Sequence, residues 1–306
     1  TGLEVAIKLF ARESGIDWLY FRHEVDRLRR VSEHPYVVTL LDADLTHDPP
    51  YFVMPLLPDS LSHRCRSQGR PDREQAAAWI EQMTRALHYT HSKGLLHCDL
   101  KPNNIMVDQE GRVRVADFGQ SLSRGTSGET TLGTLGTMAP EQAQLVNEGV
   151  PDVSWDIYGL GATAYWLLSG ELPRLSREDL SQLYAISDPT ERLVAYRDRL
   201  ATRPLTPLRE LNRSVDQDLA DIVERCLDPH PSRRTATTAD ILEDFRRRRR
   251  HQPLLCRQPW STGYRSKRFL RRNIMAVSLG CALLVGLGWS FANVVSSRNQ
   301  ALVATG

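Results

Sequence analysis

The sequence predicts an α+β protein in which a small β-rich lobe precedes a larger helical lobe, with one transmembrane helix at the C-terminal end. Three observations predict it. Alternating, β-branched runs are confined to the first 56 residues, helical spacing dominates from residue 73, and an uncharged apolar run opens at Ile274. The chain has 306 residues, 41% of them hydrophobic and 25% charged, enough to bury a substantial core.

Taken in order, Glu4 to Phe10 mixes β-branched residues with rough alternation and reads as a strand. The opening Thr1-Gly2 reads as a turn, and no Met stands at position 1, so the sequence is expected to begin inside a domain. Asp17 to Ser32 places Trp18, Phe21, Val25 and Leu28 at helical spacing. Tyr36–Leu45 and Tyr51–Leu56 read as two further β-rich runs around a His47-Asp48-Pro49-Pro50 turn. Arg73 to Lys93 is a long amphipathic helix ended by Gly94. Helices are then expected over Ser154–Ser169, Ser176–Leu200 with interruptions, Gln217–Leu227 and Thr237–Arg250.

Charge is distributed unevenly. Residues 246–272 hold eleven Lys or Arg and no Asp or Glu, whereas 1–245 carries 27 basic against 37 acidic residues, or −10. A mildly acidic globular part argues against nucleic acid as a partner, because such domains spread basic residues over the folded face. Ile274 to Ala292 is nineteen uncharged, mostly apolar residues, about 28 Å as a helix and close to the thickness of a bilayer core. The basic residues crowd its near side and Trp289 its far end, so the positive-inside rule places the N-terminal part in the cytoplasm. The expected organisation is a domain over 1–250, a basic juxtamembrane linker over 251–273, a transmembrane helix over 274–296 and a short extracytoplasmic tail over 297–306. The linker is either attracted to anionic lipid headgroups or a merely solvated charge run. Cys65, Cys98, Cys226, Cys256 and Cys281 show neither disulfide-like nor metal-like pairing, which suits a reducing cytosol. The histidines outside position 97, including His88 and His91, lack metal-ligand spacing and are assigned no chemistry.

The chemistry is concentrated in His97-Cys98-Asp99-Leu100-Lys101-Pro102-Asn103-Asn104 and Asp117-Phe118-Gly119. Two carboxylates, an ammonium and an amide lie within about twenty residues, the set that phosphoryl transfer from a magnesium-bound donor requires. These motifs resemble the catalytic loop and metal motif of the eukaryotic-like protein kinases, and the span that follows the domain makes the chain resemble bacterial receptor-type Ser/Thr kinases. The resemblance covers roughly residues 1–250 and implies a bilobal kinase fold with ATP and Mg²⁺ in the cleft. It implies that Asp99 accepts the substrate hydroxyl proton, that Lys101 steadies the γ-phosphate, and that Asn104 and Asp117 hold the metal. Val5-Ala6-Ile7-Lys8 resembles the strand of the phosphate-binding lysine, with Glu24 as the ion-pair partner of Lys8.

Met54 falls at the gatekeeper position, so adenine would meet the backbone near residues 55–57, with Leu56 and Leu57 as contacts. Gly133 to Glu141 resembles the end of an activation segment, in which Thr134 would contact Asp99 and Lys101. Lys101 together with Thr134 follows the Ser/Thr rather than the Tyr pattern, so protein Ser and Thr hydroxyls are the expected acceptors. Asp156 would brace the catalytic loop, and Glu141 would pair with Arg234 or, alternatively, Arg233. Thr126, Ser127, Thr130 and Thr131 are autophosphorylation candidates.

Two departures from the family pattern stand out. The glycine-rich loop would precede Thr1, and Cys98 stands where many members carry the Arg that grips a phosphorylated activation loop. The expected role is a membrane-anchored signalling kinase with protein substrates, with a homodimer left open. The rival readings are a pseudokinase scaffold and a membrane-tethered adaptor acting through its basic strip.

Overall fold

The computed structural model describes residues 2, 4–10, 15–119, 122–123, 135–144 and 151–304. The chain divides into two compact units, Thr1–Phe245 and Arg246–Gly306.

In the first unit, β1 (Val5–Leu9) is followed by α1 (Gly15–Val31), β2 (Asp42–Asp44) and β3 (Tyr51–Pro55). The three strands form an antiparallel sheet in the order β1-β3-β2, with Lys8 opposite Phe52. Helix α1 forms because Phe21, Val25, Leu28 and Val31 recur every three or four residues, and all four are buried. Each such side chain contributes roughly 1.5–3 kcal/mol of burial. Phe10, Trp18, Phe21 and Phe52 join helix to sheet with ring centroids 5.3–6.2 Å apart.

Within the expected β run Tyr36–Leu45, only Asp42–Asp44 is a strand. Val37 and Val38 are buried instead against the strand that precedes Asp117: Val38 N–H donates to the Val115 carbonyl at 2.9 Å, and Val115 N–H to that of Tyr36 at 2.8 Å. Apolar, β-branched composition does not distinguish a sheet strand from a buried crossing segment.

The helical lobe begins with β4 (Asp59–Ser60), α2 (Leu61–Ser67), α3 (Arg73–Ser92) and β5 (Leu95–Leu96). Asp72 caps α3 by accepting from Gln75 N–H, and Gly94 follows the helix at φ +72°. The hairpin β6 (Ile105–Val107) and β7 (Val113–Val115) lies between the two chemical motifs. Trp79 of α3 donates its indole N–H to the Gly111 carbonyl at 2.7 Å, and Gln82 accepts from Val113 N–H, so α3 sets the hairpin's position. A short β8 (Leu122–Ser123) pairs with β5.

The remaining helices of this lobe are α4 (Val153–Ser169), α5 (Arg177–Tyr184), α6 (Pro189–Thr202), α7 (Leu208–Leu211), α8 (Gln217–Cys226) and α9 (Thr238–Arg249). The expected interrupted helix over 176–200 is thus α5 and α6, separated where Asp188-Pro189 starts a new helix. Helix α4 is buried over most of its surface, and two glycines let it approach its neighbours. A Cβ at Gly159 would stand 3.3 Å from Leu100 Cβ, and one at Gly161 only 2.7 Å from Cys226 Cβ.

In the second unit, residues 251–273 contain a 3₁₀ turn at Leu255–Arg257 and helix α10 (Thr262–Arg272). Ser261 caps α10 by accepting from Tyr264 N–H, and the Trp260 indole donates to the Leu254 carbonyl at 2.6 Å. The guanidinium groups of Arg257 and Arg268 stack over the Tyr264 ring, so cation–π contacts organise a run that composition alone presents as solvated charge. Arg247, Trp260, Arg265, Arg268, Phe269 and Arg272 line a concave face of this unit.

Helix α11 (Ile274–Ala304) continues unbroken past residue 296, so the expected tail is helical as far as Ala304. Its stretch Ile274–Val294 has a mean hydropathy of 2.0, is unburied and is long and apolar enough to cross a membrane.

Candidate active site

The loop over residues 97–104 is held by α4. Asp156, near the start of α4, accepts the N–H of His97 at 2.8 Å and of Cys98 at 2.7 Å, and pairs with His91 Nε2 at 2.7 Å. Cys98 has φ +64°, a left-handed conformation costly for a residue with a Cβ, so a fully buried carboxylate gripping two successive amides fixes an otherwise unfavourable bend. Burial alone would raise the Asp156 pKa, but the hydrogen bond and charge of His91 with the His97 contacts outweigh it and hold the carboxyl below its ordinary value. The bracing role expected of Asp156 is therefore present in the geometry. His91, to which the sequence assigns no chemistry, supports Asp156 through its ring.

On this base the loop gathers Asp99, Lys101 and Asn104. Lys101 Nζ donates to Asp99 Oδ2 at 2.6 Å, while Asn104 Nδ2 donates to the Asp99 carbonyl at 2.9 Å and to Oδ2 at 3.2 Å. With its nitrogen directed at Asp99, the Asn104 amide turns its oxygen the other way. Gln142, after the activation segment, donates to the Cys98 carbonyl at 2.9 Å.

The Asp117-Phe118-Gly119 segment meets this loop because β6 and β7 are paired. Ile105 faces Val115, and Ala116 N–H donates to the Asn104 carbonyl at 2.8 Å, so Asn104 and Asp117 emerge at the same end of the hairpin. Asp117 has φ +62° and accepts from Gly119 N–H at 3.4 Å. Phe118 is fully buried with its ring centroid 5.0 Å from that of His97, whose Nε2 donates to the Ala116 carbonyl at 3.0 Å.

From the small lobe, Lys8 reaches both carboxylate oxygens of Glu24, at 2.8 and 2.7 Å, so the expected ion pair is formed. Burial raises the Glu24 pKa above its ordinary value, with Lys8 acting in the opposite sense and the nearby Asp117 charge adding to the rise. One helical turn beyond Glu24, Arg27 donates to the carbonyls of Phe118 at 3.2 Å and Gly119 at 3.0 Å.

Met54 pairs with Ala6 across the sheet, and Leu56 is exposed with its N–H committed to the Glu4 carbonyl at 3.0 Å. The Leu56 N–H is thus occupied, and Leu57 is half-buried beside it. Thr134 lies outside the described residues, as do Thr126, Ser127, Thr130 and Thr131. For Glu141 the partner is Arg234, with contacts of 2.5 and 2.7 Å, and Arg234 also donates to the Ser154 and Asp228 carbonyls.

Among the described residues no three His, Cys, Asp or Glu side chains gather as a metal cluster. The oxygen pair of Asn104 and Asp117 instead suits a hard cation that keeps several waters and shares its remaining ligands with phosphate, as Mg²⁺ does. The donor set fits that group.

Arg27, His91 and Gln142 are the residues that sequence reasoning missed. Arg27 carried a usable signal, since it stands three residues after Glu24 on the same helix face. Gln142 and His91 act through tertiary contacts that no local pattern reveals.

Comparison with known proteins places these features in context. The family model described as "Protein kinase domain" matches residues 1–245. The serine/threonine-protein kinase PknK of Mycobacterium bovis is 32% identical over 79% of this chain and 21% of its own length. The serine/threonine-protein kinase PknB of Mycobacterium leprae is 29% identical over 82% of this chain and 39% of its length. The DNA damage-responsive serine/threonine-protein kinase RqkA of Deinococcus radiodurans is 38% identical over 65% of this chain and 32% of its length. The chain thus spans about a fifth of the PknK relative and between a third and two fifths of the other two.

Proposed function

This chain belongs to the protein kinase family, and on that premise we propose that it transfers the γ-phosphate of ATP to Ser and Thr hydroxyls of protein substrates. The observation that carries the proposal is the Asp99 constellation: a nearly buried carboxylate bonded to Lys101 and Asn104, on a loop anchored by Asp156.

ATP with Mg²⁺ would supply the transferable phosphoryl group and the cation that offsets its charge. Asn104 and Asp117 would hold the metal. Lys8, aimed by Glu24, would fix the donor's phosphates. Asp99 would orient the acceptor hydroxyl and take its proton, while Lys101, 2.6 Å from it, would offset charge on the migrating group. Met54, Leu56 and Leu57 border the region assigned to adenine. Thr134 is proposed to contact Asp99 and Lys101 in the active state.

Membrane anchorage belongs to the same proposal. The apolar helix Ile274–Val294 supports a single span, and the basic residues ahead of it support a cytoplasmic catalytic domain. The Arg-lined face of the second unit suits anionic lipid headgroups.

The test is transfer of labelled γ-phosphate to the protein itself and to a generic protein substrate, with Asp117→Ala alongside. Label on Ser or Thr that disappears in the variant supports the proposal. Bound ATP without any transfer would replace it with a scaffold role.

A further inference from the structure

Asp117 stands in a backbone conformation that is costly for a residue with a Cβ. Its φ of +62° lies in the left-handed region, and the hydrogen bond to its carboxylate from within the motif is long, at 3.4 Å. Its main chain is nevertheless held on both sides. Ahead of it, His97 Nε2 donates to the Ala116 carbonyl at 3.0 Å. Behind it, Arg27 donates to the next two carbonyls, Phe118 at 3.2 Å and Gly119 at 3.0 Å.

The two holders come from different lobes, His97 from the catalytic loop and Arg27 from α1. Arg27 lies one turn from Glu24, so the helix that aims Lys8 also grips the metal motif. The packing around Gly119 is correspondingly close: a Cβ there would stand 3.2 Å from Asp117 Oδ1 and 3.6 Å from Glu24 Oε2. A movement of α1 that withdrew Glu24 from Lys8 would also pull Arg27 from these carbonyls. A guanidinium suits the task, since one planar group with several N–H donors can serve two adjacent carbonyls.

We infer that Arg27 is a positioning residue for catalysis, a clamp by which α1 fixes the backbone around Asp117 and couples the Lys8–Glu24 pair to the metal site. Its acceptors are main-chain carbonyls, present in every state of side-chain modification, so the clamp requires no phosphate to form. The inference rests on the kinase reading for its consequence but not for its geometry.

The test compares wild type with Arg27→Met, which keeps much of the stem, and Arg27→Lys, which restores a cation. Each is the whole chain in detergent micelles after phosphatase treatment. Three readouts are taken: melting temperature, ATP and Mg²⁺ dependence of phosphate transfer, and amide exchange across residues 116–119. Arg27→Met should melt within a few degrees of wild type, lose about tenfold in kcat, need several-fold more Mg²⁺ for half-maximal rate and exchange faster at Phe118 and Gly119. The KM for ATP should change less than kcat, and Arg27→Lys should recover part of the loss.

Wild-type kcat and Mg²⁺ dependence in Arg27→Met would overturn the inference, as would Arg27→Lys behaving no better than Arg27→Met. Absence of transfer in wild type would instead defeat the kinase reading. In that event the exchange measurement still decides the clamp, because unchanged protection at 116–119 in Arg27→Met would refute it.

Discussion

The carboxylate of Asp156 lies 2.7 Å from the amide nitrogen of Cys98, although 58 residues separate them in sequence. That one contact joins the central helix of the larger lobe to the bend that presents Asp99. With the His97 and His91 contacts it gives a buried anion three donors.

Replacing Asp156 with Ala should therefore damage both stability and catalysis. Two buried N–H groups would lose their acceptor and Cys98 its restraint, a cost of about 3–5 kcal/mol by analogy with breaking other buried charged networks. Chemical denaturation should show this loss. Because the folded-state pKa of Asp156 is depressed, its contribution is present above the unfolded carboxylate pKa and is lost as pH falls through the lower folded value. The denaturant midpoint of Asp156→Asn should accordingly vary less with acidic pH than that of wild type.

Glu24 has the opposite sign. Its folded-state pKa is raised above the ordinary Glu value, chiefly by burial, so the carboxylate takes up its proton at a higher pH in the folded protein than in the unfolded one. Protonation removes the charge that holds Lys8. The rate should fall on the acid side at a higher pH than an ordinary Glu would impose, and Glu24→Gln should show a low rate without that limb. A pH–rate profile of both proteins checks this.

Gly161 tests the packing of α4 against α8. A methyl group there would meet Cys226 Cβ at 2.7 Å, so Gly161→Ala must push the helices apart. Overpacking of this kind costs about 1–3 kcal/mol, which thermal unfolding would register as a drop of several degrees. Gly263 has nothing near its Cβ position, so Gly263→Ala should leave the melting temperature nearly unchanged.

Much of this architecture was legible because local signals and tertiary roles coincided. Phe21, Val25 and Leu28 announce α1 by spacing, and the same helix carries Glu24 to Lys8. Asp99, Lys101 and Asn104 are neighbours in sequence, so their meeting required only a tight loop. What stayed hidden depended on contacts between distant segments. Val37 reads as a strand residue until the pairing around Val115 is known. His91 reads as a surface histidine until Asp156 is placed beside it. The basic run after Pro253 looks irregular because its order comes from Arg side chains stacked on Tyr264, which leave no periodic apolar trace.

Asp99 is proposed to take part in transfer of phosphate to a hydroxyl. Single-turnover transfer from ATP·Mg²⁺ to a Ser-containing protein, with nucleotide affinity measured separately, tests it most directly in wild type and Asp99→Asn. In the variant, ATP affinity should stay within about threefold of wild type while the transfer rate falls by about a hundredfold or more. Equal transfer rates in the two proteins would contradict that role.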